Sequence, residues 1–91
     1  MNIQTTTPEI VLFGTLGCHL CDDAFMLVKE GLPSEINIKK VDIINDPKLL
    51  ESMSKRIPVL MIGTVELEWP FHLADVELAW QRIVSKRRYL Y

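Results

Sequence analysis

An α/β fold with a mixed four-stranded sheet and three helices, in the order βαβαββα, is predicted for this chain by three observations. A short apolar run, Ile10-Val11-Leu12-Phe13-Gly14, is followed within a few residues by an amphipathic segment. A second strand-like stretch comes next, so the chain opens as βαβ, and the right-handed crossover of that unit makes its two strands parallel. Further on, the two-residue turn Gly63-Thr64 joins two more strand-like stretches into an antiparallel hairpin, and a final helical stripe follows. Helices must cover both faces of such a sheet to bury its strands.

Each element has its own signal. The first strand covers residues 9–14, entered after Pro8. A helix is predicted over about residues 21–30, where Leu20, Ala24, Leu27 and Val28 follow the i, i+4, i+7, i+8 spacing of one buried face. Gly31 is expected as its C-cap and Pro33 as its stop. Residues 37–43 form the second strand, with Ile38, Val41 and Ile43 as its apolar side chains. Asp46-Pro47 is an N-cap followed by a first helical residue, opening a short helix that turns Leu49, Leu50 and Met53 inward. Val59-Leu60-Met61-Ile62, bounded by Pro58 and Gly63, is a continuous apolar strand buried on both faces, and Val65-Glu66-Leu67-Glu68 returns from the turn. The last helix covers residues 73–86, with Leu73, Val76, Trp80, Ile83 and Val84 as its stripe.

Ninety-one residues make one domain, residues 1–91, with a single modest core, and 48% hydrophobic residues fit a globular chain. Ten basic against twelve acidic side chains give a net charge of -2, which offers no electrostatic footprint for nucleic acid or an anionic membrane. The basic cluster Lys86-Arg87-Arg88 falls at the end of the last helix, where the helix dipole favours cations. Apolar stretches fall far short of the ~20 residues that span a bilayer. The first seven residues show neither the basic nor the apolar region of a secretory signal, so the expectation is a cytoplasmic protein. In that compartment a reactive thiol pair is a better reading than a persistent disulfide.

The two cysteines of the chain both lie in the block Cys18-His19-Leu20-Cys21. One reading is a structural disulfide, but closing so short a loop contributes only about 2 kcal/mol, against roughly 4.7 for a hundred-residue loop. The other reading gives the sulfurs unlike tasks. Cys18 precedes the first helical turn, where unpaired backbone N–H groups favour an anion, so its thiolate forms early and serves as nucleophile. Cys21, on the first turn and buried, is held back as the resolving thiol. A charged His19 would stabilise the thiolate; turned to solvent, it would do nothing. Asp22 and Asp23 fit as ordinary first-turn acids. A zinc site would need four ligands, with only His19 and His72 to add, and no second Cys-x-x-Cys is present, so no metal is expected. An iron–sulfur cluster shared between two chains is the remaining rival use of the pair.

Pro58 stands at the first position of the third strand, where proline is tolerated. Taken together, strand, Cys18-x-x-Cys21, helix, strand, helix, Ile57-Pro58, hairpin and helix resemble the thioredoxin superfamily, and by size and order its glutaredoxin-like branch. The resemblance implies that Pro58 is cis and faces the thiols, and that the Ile57 backbone pairs with an extended substrate segment. It is incomplete in two places. Glutathione-using members carry a basic residue before the first cysteine, where this chain has Gly14-Thr15-Leu16-Gly17, and a Gly-Gly pair followed by an acid, where it has Glu68-Trp69-Pro70-Phe71. The chain looks most like a small bacterial glutaredoxin-like group with Trp-Pro-Phe after the hairpin. Glu68 would repel a glutathione carboxylate and Trp69 would crowd its approach. Trp69, Pro70 and Phe71 form either an aromatic wall for a partner or simple packing.

The resulting expectation is a thiol–disulfide oxidoreductase in which Cys18 attacks and Cys21 resolves, with Ile57, Pro58, His19 and Trp69 contacting substrate. It needs no cofactor, with glutathione as an alternative co-substrate. Its partners are a protein or small-molecule disulfide and an unspecified electron donor, and it acts as a monomer without nucleic acid or membrane. Two rival readings are a non-catalytic module whose disulfide state alters the surface around His19 and Trp69, and a metal or cluster carrier.

Overall fold

Seven elements follow one another in the predicted order in the computed structural model, which describes residues 8–89, with side chains to residue 85. They are β1 (Ile10–Gly14), α1 (His19–Gly31), β2 (Ile38–Asp42), α2 (Pro47–Met53), β3 (Val59–Ile62), β4 (Val65–Glu68) and α3 (Leu73–Tyr89), with a 3-10 turn at Ile43–Asn45. The N-terminal segment and the side chains of Lys86, Arg87 and Arg88, read above from the sequence, lie outside the described residues. Among the described residues no helix is long and apolar enough to cross a membrane.

The strands lie in the order β2-β1-β3-β4. β1 pairs in parallel with β2 and antiparallel with β3, and β3 pairs antiparallel with β4. Placing β1 in the interior of the sheet explains its apolar character on both faces. Ile10 and Leu12 face the same side as their partners Ile62 and Leu60. That side packs against Ala24 and Val28 of α1 and Val76, Ala79 and Ile83 of α3, forming the main core. The other face carries Val11, Phe13, Val59 and Met61, and Val59 is fully buried. The 3-10 turn and α2 remain to cover it, and Ile43 of that turn is buried outside the main cluster.

Local chemistry accounts for several boundaries, and packing between elements for several departures from the expected pattern. The Asp46 carboxylate accepts from the N–H groups of Lys48 and Leu49 at 3.0 and 3.3 Å, with Pro47 in the first turn, as the N-cap reading requires. α1 starts earlier than expected, at His19, and its buried residues are Cys21, Ala24 and Val28. Leu20, expected inside, is 51% exposed. Gly31 is not the C-cap: it is still helical, and Leu32 caps the helix through its N–H to the Val28 carbonyl at 3.1 Å. A Cβ at Gly31 would lie 2.9 Å from Val76 Cγ1, so the residue is small because α3 crosses there. In α2 no residue is fully buried, and Leu50 faces solvent because the helix spans under two turns and rests on one side only. In α3 the buried positions are Val76, Ala79 and Ile83, with Trp80 only half-buried beside Ala79.

Candidate functional site

β1 delivers the chain to Gly14, and a three-residue turn carries it to Cys18, the N-cap of α1, in extended conformation (φ -93, ψ 108). Its Sγ accepts the N–H of Cys21 at 3.2 Å, and its carbonyl accepts the N–H of Asp22 at 3.2 Å. The first helical turn thus points one of its otherwise unpaired N–H groups at the Cys18 sulfur. Cys18 and Cys21 form a disulfide with Cα atoms 5.2 Å apart. The two cysteines differ in access: Cys21 is 7% exposed, whereas Cys18 is half-buried. Gly14 makes that asymmetry sterically feasible, because a Cβ there would lie 2.9 Å from Cys21 Sγ. Read from the sequence, Gly14 was only the end of a strand; its place four residues before Cys18 is the signal that could have revealed its role.

One row of residues crosses the sheet at this end. Gly14 pairs with Asp42 on one side. On the other, the β1–β3 register ends at Phe13 opposite Val59, so one further residue brings Pro58 opposite Gly14. Trp69 donates its N–H to the Pro58 carbonyl at 3.2 Å, completing the row. The Ile57–Pro58 peptide is cis, as the resemblance implies, and Trp69–Pro70 is cis as well. Trp69 is half-buried and meets Phe71 edge to face at 5.1 Å between ring centroids, while Phe71 belongs to the core. Trp69 therefore packs on Phe71 while part of it stays exposed. His19 is exposed on the first residue of α1. His72 lies at the start of α3, its Nδ1 3.5 Å from the Asp75 carboxylate.

Two further observations alter the expected chemistry. The Ile57 N–H is donated to the Met53 carbonyl at 3.1 Å, so it is already engaged within the fold rather than free for an incoming strand. Glu68, expected to repel carboxylates, is held by Arg56, whose Nε donates to it at 2.7 Å while the same guanidinium reaches Glu66. The hydrogen bond to Glu68 is the largest influence holding the guanidinium protonated beyond its ordinary range. Beside the disulfide opens a cleft of about 150 Å³, bordered by Leu12, Leu16, Cys21, Lys40, Val41 and Asp42. Among the described residues no group of three or more His, Cys, Asp and Glu side chains is arranged to hold a metal ion.

Residues 9–83 match the family described as Glutaredoxin-like domain (DUF836). The chain belongs to this glutaredoxin-like family. The X-ray structure of the Northeast Structural Genomics target protein XcR50 from X. campestris is similar to it, with 29% identity and a TM-score of 0.70 over 82% of this chain and 97% of that one. The solution structure of XcR50 gives 29% identity and a TM-score of 0.69, covering 82% and 94%. The solution structure of Ne2328 from Nitrosomonas europaea, at 24% identity and a TM-score of 0.62 over 88% and 98%, shows the fold alone. No curated protein matches the chain. The glutaredoxin-like domain is thus thioredoxin-like in fold and carries its cysteine pair at a helix N-terminus, with a cis proline and Trp69 in the adjoining row of the sheet.

Proposed function

We propose that this glutaredoxin-like domain is a thiol–disulfide oxidoreductase working through a dithiol mechanism. In the reduced protein the Cys18 thiolate attacks one sulfur of a substrate disulfide, a Cys18–substrate bond forms, and the other substrate sulfur leaves as thiolate. The Cys21 thiolate then attacks Cys18 Sγ, closing the internal disulfide and releasing the second substrate thiolate. Two electrons pass to the substrate, and an external thiol or dithiol donor restores the pair. Supporting this reading above all is the pairing of a half-buried Cys18, whose sulfur accepts a helix N–H at 3.2 Å, with a buried Cys21. The N–H groups that stabilise a thiolate also make Cys18 the better leaving group when the disulfide is reduced. Ile57, Pro58 and Trp69 border the side on which a substrate chain would lie, with His19 exposed next to Cys18. A monomer in a reducing cytoplasm, with a thiol donor at hand, fits this chemistry.

The test is reduction of insulin disulfides. Cys18→Ser should abolish turnover, whereas Cys21→Ser should still attack and then stall as a mixed disulfide visible by mass. In the reduced protein, thiolate absorbance should report Cys18 ionising at lower pH than Cys21. Turnover retained by Cys18→Ser would overturn the mechanism. Reversible oxidation of the native protein without any turnover would favour the redox-responsive binding module instead.

A further inference from the structure

We propose that the cleft beside Cys21 is a side-chain pocket for polypeptide substrates, receiving an apolar residue adjacent to the partner's reactive cysteine. This rests on the oxidoreductase reading and names the substrate class it favours. The cleft lies on the β2 side of the disulfide, away from Pro58 and Trp69. Buried Leu12 and half-buried Val41 line it, and Leu16, 90% exposed, borders it. A leucine so exposed beside the disulfide, with Leu20 also open two residues beyond Cys18, is apolar surface that gains only when a partner covers it. A space of about 150 Å³ is that of a benzene-sized group, which matches a leucine or phenylalanine side chain.

Charge selects the same occupant. Asp22 and Asp42 outnumber Lys40 along the cleft, and the Lys40 ammonium is drawn over the Phe25 ring at 4.2 Å. Glutathione brings two carboxylates, and beside its cysteine only glycine and a γ-linked glutamate, neither of which fills an apolar space. A peptide with leucine next to cysteine and a neutral or basic flank fits both the space and the sign. Each turnover moves two electrons from the Cys18/Cys21 dithiol to the peptide disulfide, and dithiothreitol restores them in the assay.

The test uses the full chain with symmetrical disulfides of short peptides that differ only in the residue before cysteine: leucine, serine or aspartate. Glutathione disulfide is the fourth substrate. Leucine is expected to raise kcat/KM about tenfold over serine, with aspartate and glutathione lowest. Leu16→Ser should bring the leucine preference close to one while iodoacetamide alkylation of reduced Cys18 stays unchanged, and Leu16→Met should retain the preference. In a second arm, the oxidised protein is titrated with the leucine peptide carrying serine for cysteine, and amide shifts are expected at residues 15–17 and 40–42. Equal kcat/KM for leucine and serine peptides, or shifts confined to Ile57 and Trp69, would overturn the pocket. Failure to turn over any disulfide would sink the oxidoreductase reading instead, and the titration alone would then decide the pocket.

Discussion

Gly14 stands between β1 and the cysteine turn, where a methyl group would lie 2.9 Å from Cys21 Sγ and 3.1 Å from its Cβ. Both atoms belong to a short side chain tied into a disulfide, so neither can swing away. Gly14→Ala is therefore expected to destabilise the oxidised protein by about 1–3 kcal/mol, the usual cost of overpacking, measured by thermal melting. An unchanged melting temperature would mean that Cys21 is not held against the strand. Cys21 also explains why the exposure of Leu20 was not legible in the sequence. In packing, a cysteine behaves as a small apolar residue, so the buried stripe runs through Cys21, Ala24 and Val28. The spacing alone admits Leu20 beside a buried Cys21, but with Cys21 filling the inward position of the first turn the stripe starts one residue later than Leu20.

Elements bounded by punctuation were read correctly, and those ended by tertiary contact were not. Pro58, Gly63 and Thr64 set the limits of β3 and β4, because a proline and a tight turn act locally. Gly31 carries no such local message. It remains within α1, which Leu32 caps, and the crossing of α3, with Val76 Cγ1 2.9 Å and Leu73 Cδ1 3.1 Å from a would-be Cβ, leaves no room there for a side chain. Two effects compete in Gly31→Ala. Helix propensity favours alanine by about 1 kcal/mol, while the clash involves three atoms of two packed side chains and costs about 1–3 kcal/mol. The clash should win, so Gly31→Ala is expected to lower stability in urea denaturation. A rise would show that α1 and α3 can separate without loss.

Across the whole molecule, what escaped the sequence was contact between residues far apart in the chain. Lys40 and Asp42 share a cleft with Cys21, and Arg56 joins the segment before β3 to Glu66 and Glu68 of β4, yet no local spacing announces either. The cysteine pair at a helix start and the proline before β3 were legible; the cleft beside Cys21 and the Arg56 ion pairs were not. These pairs lie at the surface, with Arg56 33% exposed and its partners 41% and 55% exposed. Arg56→Gln is accordingly expected to leave stability nearly unchanged, with any loss smaller at high salt, by denaturation at two ionic strengths. A larger, salt-independent loss would assign Arg56 a packing role.

The row Asp42, Gly14, Pro58 and Trp69 lies at one extremity of the sheet. Terminal rungs of a ladder unzip before central ones, since fewer neighbours hold them. Here one terminal rung underlies the sulfurs, so mild heating is expected to slacken the thiol environment before the central positions Leu60 and Val28 loosen. Far-UV dichroism could then still look native in a sample whose redox end had already come loose.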